Sequence, residues 1–217
     1  MMAKRRNLGF LLALIAAAAF AVTCSDDTTL PPDGPHPGAT IQNLTQKEHV
    51  LTNIELAYNN RRINWYTGVL DANFTFYFSP SDVGGGLPEQ WNRVEEITAN
   101  TNLFDKGYVG TMPPCQSVYL DLRIEEGVVW IGFTPSSAPT ETWYTTTLFY
   151  TFKFEISPNT YIPSPGSKAM FTVRNAGTDS APHWQLVEMR DLGGASALQR
   201  TSGTDATTWG QIKALYR

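Results

Sequence analysis

Apolar residues at Val50, Leu51, Ile54, Ala57 and Tyr58 recur at helical spacing, and Thr45-Gln46-Lys47-Glu48 ahead of them has the form of a capping box. The spacing predicts a first helix. After Asn59-Asn60-Arg61-Arg62, the residues Ile63, Tyr66, Val69 and Leu70 predict a short second helix ending near Asp71, with Gly68 a mild weakness in it. Phe74-Thr75-Phe76-Tyr77-Phe78 then has the aromatic composition of a strand, closed by Ser79-Pro80. A glycine-rich loop, Val83-Gly84-Gly85-Gly86, leads to Leu87-Pro88-Glu89-Gln90-Trp91. Pro88 suits a first helical turn, which predicts a third helix with Trp91, Val94, Ile97 and Phe104 on one face.

From Ser117 the period becomes two. Val118, Leu120, Leu122 and Ile124 alternate with Tyr119, Asp121 and Arg123, and Val128 to Phe133 predicts a further strand. Between Trp143 and Ile156, the residues Tyr144, Leu148, Tyr150, Phe152, Phe154 and Ile156 share a face; the length predicts a bent or bulged strand. Ala169, Phe171 and Val173 mark the next strand, and His183 to Asp191 a last one. Turn-rich connections without crossover helices predict antiparallel pairing. Thr208-Trp209-Gly210-Gln211 is another capping-box pattern, and Trp209, Ile212, Leu215 and Tyr216 predict a short C-terminal helix packed back on the sheet.

The N-terminus changes the picture of where such a domain works. Lys4, Arg5 and Arg6 precede an uncharged run from Asn7 to Thr23, the pattern of an export signal; Leu8 to Val22 falls short of the about 20 apolar residues that span a bilayer. Ala21-Val22-Thr23-Cys24 resembles the bacterial lipobox, with Thr23 where a smaller residue is usual, and the resemblance implies lipidation at Cys24. The competing readings are a secreted protein cut nearby and a Cys24–Cys115 disulfide. Residues 24–42 are rich in proline and glycine and read as a tether. The organisation expected is thus a signal peptide at 1–23, a tether at 24–42 and one domain at 43–217. The lipid would place the domain at the membrane of a bacterial cell envelope, and Ser25 after Cys24 fits the periplasmic face of the outer membrane.

A net charge of −4 and the absence of a polybasic stripe after the signal argue against nucleic acid as a partner. The three histidines are scattered, with no carboxylates at ligand spacing, so neither a metal nor another cofactor is expected. No G-x-S-x-G is present.

The order helix, helix, strand, helix, then long strands resembles the nuclear transport factor 2-like fold, also called SnoaL-like or cystatin-like. The likeness is carried by Ala57-Tyr58-Asn59, Trp65-Tyr66, Leu70-Asp71, the Phe74–Phe78 strand, Trp91, and the segments 183–191 and 208–216. It implies an α+β fold, cone-shaped, with N-terminal helices packed on a curved antiparallel sheet and a short C-terminal helix. The family includes isomerases, dehydratases, cyclases and non-catalytic binding or dimerising modules, so fold does not fix function. The ketosteroid isomerase branch uses an Asp at the end of the first strand and a Tyr on the first helix; this chain has Phe78 and Ile54 there. For a rearranged acid–base site the candidates are Asp71, His183 and Glu188, each with an ordinary structural reading beside the catalytic one. With 26 Phe, Trp and Tyr residues in the chain, Trp143, Tyr144, Tyr150 and Trp184 are candidates for a pocket or an interface. The expectation is a binding protein more than an enzyme, taking a small apolar ligand or a protein partner, with a homodimer as one form. The alternatives are an isomerase, dehydratase or cyclase, and a structural assembly factor.

Overall fold

A computed structural model describes residues 39–156, the backbone of 159–161, and residues 167–193 and 208–217. The signal, Cys24 and all but the last residues of the tether lie outside the described residues. Among the described residues no helix is long and apolar enough to cross a membrane.

Two helices open the domain, α1 (Lys47–Asn59) and α2 (Ile63–Val69). Val50, Leu51, Ile54, Ala57 and Tyr58 are buried along α1, as their spacing predicts. The Thr45 capping box is not formed: Gln46 is the N-cap without a side-chain bond, and the Glu48 carboxylate accepts a hydrogen bond from Trp130 Nε1 at 2.7 Å. Arg61 links the two helices in a left-handed conformation, φ 51°. Its guanidinium donates to the carbonyls of Leu103, Phe104, Cys115 and Gln116, which satisfies the open end of a later helix.

Strand β1 (Leu70–Tyr77) follows α2 without a loop, then a short α3 (Pro80–Gly84), β2 (Gln90–Asn92) and α4 (Arg93–Phe104). The expected third helix is therefore shorter at its start. Trp91 lies on β2, paired with Phe76, and Asn92 makes the capping box, its side chain accepting from the amides of Val94 and Glu95 while the Glu95 carboxylate accepts from the Asn92 amide. The observed helix begins at Arg93 rather than near Pro88, and its buried side is rotated from the expected one. Val94 is 71% exposed, and α4 buries Glu96, Ala99, Asn100 and Leu103 together with the expected Phe104.

The rest is sheet: β3 (Ser117–Asp121), β4 (Ile131–Phe133), β5 (Trp143–Phe149), β6 (Thr151–Ile156), β7 (Asn159–Tyr161), β8 (Lys168–Asn175) and β9 (Trp184–Gly193), before α5 (Trp209–Ala214). Six strands form one curved, unclosed sheet in the order β2-β1-β9-β8-β5-β4, and three form another in the order β3-β6-β7. The long strand expected from Trp143 to Ile156 breaks at Tyr150 and serves both sheets, keeping Leu148, Tyr150, Phe152, Phe154 and Ile156 buried throughout. The pairing of β1 with β9 is parallel, which corrects the all-antiparallel expectation, because the chain returns to β1 through β8 and not by a hairpin from β1 itself.

Register carries a second correction. Val173 pairs with Leu186 but Thr172 with Glu188, so Val187 is an extra residue in β9. The bulge shifts the alternation. Leu186, Met189 and Asp191 face the core, while Glu188 and Arg190 face away from it. Below the helices the core is dense with rings, including Phe74, Phe76, Phe152, Phe171 and Trp209, each at most 1% exposed.

Candidate functional site

Inside this aromatic core sits a set of polar groups with no access to water. Glu96 of α4 holds Lys213 of α5 through both oxygens, at 2.9 and 3.0 Å, and both side chains are 0% exposed. Tyr66 donates to Glu96 Oε1 at 2.5 Å, and Asn100 donates to the same oxygen at 2.9 Å. Tyr58 hydrogen-bonds Asn100 Oδ1 and accepts from Trp209 Nε1 at 3.1 Å. The Lys213 ammonium also lies 3.2 Å from the centre of the Phe76 ring, a cation–π contact in a dry setting.

Burial pushes the Lys213 pKa down, and the Glu96 charge opposes that. Burial, then the Glu96 charge, pushes the Tyr58 and Tyr66 phenols well above their ordinary value, so both keep their protons. Charges this deep persist only when paired and hydrogen-bonded. The arrangement supplies both conditions.

A second group of acids seats the first turn of α5. Asp191 accepts from the Gly210 amide at 2.8 Å, the Gly193 amide at 2.9 Å and the Tyr150 hydroxyl at 3.2 Å. Burial raises its pKa; the two amides oppose this, and nearby Asp82 adds to it. Asp82 accepts from Thr208 Oγ1 at 2.6 Å and Gln211 Nε2 at 2.7 Å. Thr208 and Gln211 complete the capping box that the sequence predicts. Trp209 then projects among rings: it stacks on Phe152 at 5.6 Å, meets Tyr58 edge-on at 5.4 Å, and has Tyr150 at 5.3 Å and Phe171 at 6.4 Å.

The acid–base candidates read from the sequence occupy separate places. Asp71 is buried on β1, where Oδ2 accepts from Arg174 Nε at 2.7 Å and Oδ1 from the Asn73 amide at 2.8 Å. His183 is exposed beside the turn before β9, its amide donating to Asn175 Oδ1. Glu188 pairs with Arg190 on the face turned from the core, and Arg190 lies over the Tyr77 ring. Among the described residues no hydrogen bond or ion pair joins any two of the three, and no group of His, Cys, Asp and Glu is placed to hold a metal ion.

Of the aromatic candidates, Tyr150 is buried and bonds Asp191, as above. Tyr144 and Trp184 are half-buried and meet edge-on at 5.5 Å, with the Lys47 ammonium over both. Trp143 is half-buried, donates to Glu141 at 2.7 Å, and packs against Phe133. Cys115 is buried, its thiol donating to the Ser117 carbonyl.

Glu96, Lys213, Asp82 and Asp191 were not among the sequence candidates, although two of them leave a signal. Glu96 shares a helical face with Ala99, Asn100 and Leu103, and Lys213 shares one with Trp209, Ile212 and Tyr216. Opposite charges each set on a buried helix face point to a buried pair.

Among the described residues, no helix covers the outer face of the six-stranded sheet. Ile131 (64% exposed) and Phe133 on β4 and Phe149 on β5 stand out from it, with Val129 beside them. Trp143, Arg174, Thr145 and Thr172 lie on the same face by register.

No family model matches the chain, and no curated protein matches it. Solved structures similar to it include a protein assigned as an aromatic ring hydroxylase from Novosphingobium aromaticivorans, with TM-score 0.44 and 15% identity over 76% of this chain and 96% of the other. A protein of ketosteroid isomerase-like fold from Catenulispora acidiphila, solved with trimethylamine, gives 0.39 and 12% over 72% and 94%. AusH from Aspergillus nidulans gives 0.39 and 8% over 72% and 99%. These are likenesses of fold. The class of the domain, α+β with helices on a curved mixed sheet, rests on its own strand order and is consistent with the nuclear transport factor 2-like cone.

Proposed function

We propose that this chain is a lipid-anchored protein of the bacterial envelope whose domain is a binding module, engaging a protein partner through the outer face of the six-stranded sheet. The observation that carries the reading is the exposure of Ile131, Phe133 and Phe149 at the β4–β5 edge, on a face that no described helix covers. Clustered apolar side chains in water mark interaction surfaces more often than single ones do. The filled interior supports the same choice, since Trp209, Phe152 and Phe171 occupy the space beneath the helices. A lipid at Cys24 and the tether to residue 42 would hold that face in reach of neighbours on the membrane.

The experiment is photo-crosslinking in the host, with a photoreactive phenylalanine analogue at position 131 or 149 and, as control, at the exposed Val94 of α4. Adducts from 131 and 149 and none from 94 are expected, with the partner, a second copy included, identified by mass. Equal labelling from 94, or no adduct from either sheet position, overturns the reading. Labelled palmitate in the membrane fraction, lost in Cys24→Ser, checks the anchor separately.

A further inference from the structure

The helix α5 brings two chemical groups into the core, an indole and an ammonium, and what receives them has the composition of a ligand site. Tyr58, Tyr150, Phe152 and Phe171 surround the Trp209 ring in edge and stacked geometries. The Lys213 ammonium enters a carboxylate already fixed by Tyr66 and Asn100. The Lys213 nitrogen stands 5.5 Å from the Trp209 ring centre. That separation is spanned by two carbons between ring and nitrogen, with carbon–carbon bonds of about 1.5 Å.

The groups that seat α5 are acids on the rest of the domain: Glu96 on Lys213, Asp191 on the Gly210 amide, and Asp82 on Thr208 and Gln211. Without α5 they would leave an aromatic chamber lined with carboxylates, a setting that repels anions and favours an organic cation. A helix outside both sheets, α5 supplies no strand, so its departure would leave every described pairing of the six-stranded sheet in place. Its docking also retains an ion pair out of water, a weaker source of stability than apolar packing of the same volume and a device suited to switching.

We propose that this chamber is a binding site for an arylethylamine, occupied in cis by Trp209 and Lys213, and that the free amine exchanges with α5. The ring would take the place of the indole and the ammonium that of Lys213 on Glu96. This inference is independent of the outer sheet face, which lies on the other side of the sheet.

Hydrogen exchange of the full chain, read by mass spectrometry with millimolar tryptamine, tests it. Tryptophol, which keeps the ring and replaces the ammonium with a hydroxyl, is the control. The expected result is exchange in residues 209–216 faster by about tenfold or more with tryptamine alone, with β8 and β9 unchanged. Lys213→Met removes the competing ammonium and is expected to lower the tryptamine concentration required by about tenfold. If that variant does not fold, the comparison in the unaltered chain decides. No change with tryptamine, an equal change with tryptophol, or acceleration spread over β8 and β9 overturns the proposal.

Discussion

Lys213 and Glu96 are each costly to bury and become tolerable only together. Lys213→Met leaves the Glu96 carboxylate without its counter-charge, and breaking a buried pair in this way costs about 3–5 kcal/mol. Urea unfolding of that variant is expected to show such a loss, and the double change Lys213→Met with Glu96→Gln to recover most of it, because no charge is then stranded and an amide oxygen at position 96 still accepts from Tyr66 and Asn100. Asp191 gives a different signature. Burial, chiefly, raises its pKa from the ordinary value of 3.8, so the folded state holds the proton more tightly than the unfolded one. Its contribution is then complete below the unfolded pKa and is lost as pH rises through the folded one. Unfolding free energy measured from acid towards neutral pH is expected to fall less steeply in Asp191→Asn than in the parent. An identical slope would remove Asp191 as the cause.

Helix starts divide the elements that can be read from sequence from those that cannot. Asn92→Ala is expected to cost about 1 kcal/mol, because two amides of α4 lose their acceptor. Thr45→Ala is expected to leave stability unchanged, since no side chain caps α1; thermal unfolding of the two variants checks both. The sequence pattern at Thr45 looked as good as the one at Thr208, and only the latter is realised, because Glu48 is drawn to the Trp130 indole from across the fold. Spacing alone puts Trp91 on a helix, because a single large ring carries no period of its own; pairing with Phe76 decides its place on β2. Alternation was reliable where a strand is regular, as in Ala169, Phe171 and Val173. It failed at Val187, where one extra residue reverses the faces and brings Asp191 inward. Bulges and parallel pairing depend on distant strands, and no local spacing encodes them.

At the scale of the whole molecule, α1, α2, α4 and α5 enclose phenols that bulk water does not reach. Burial first, then the charge of Glu96 for Tyr58 and Tyr66 and of Asp191 for Tyr150, holds these three well above the ordinary phenol value. Unfolded tyrosines ionise near about pH 10, so stability is expected to fall as pH rises through that value. Alkaline titration should show tyrosinate absorbance from these three only in step with the loss of near-ultraviolet circular dichroism; earlier ionisation in an intact fold would contradict the sealed interior. The arrangement of elements was legible from order and period; the acids gathered from α3, α4 and β9 around α5 were not, because they are far apart in the chain. The parallel contact of β1 with β9 has a consequence for how the protein is made. As synthesis proceeds from the N-terminus, β1 must wait for its central neighbour until α4 and the strands from β3 to β8 have been added. Such late, long-range closure slows folding, and if the chain is exported as proposed, β1 would remain unpaired on that side, and the chain threadable through a translocation channel, until β9 has been made.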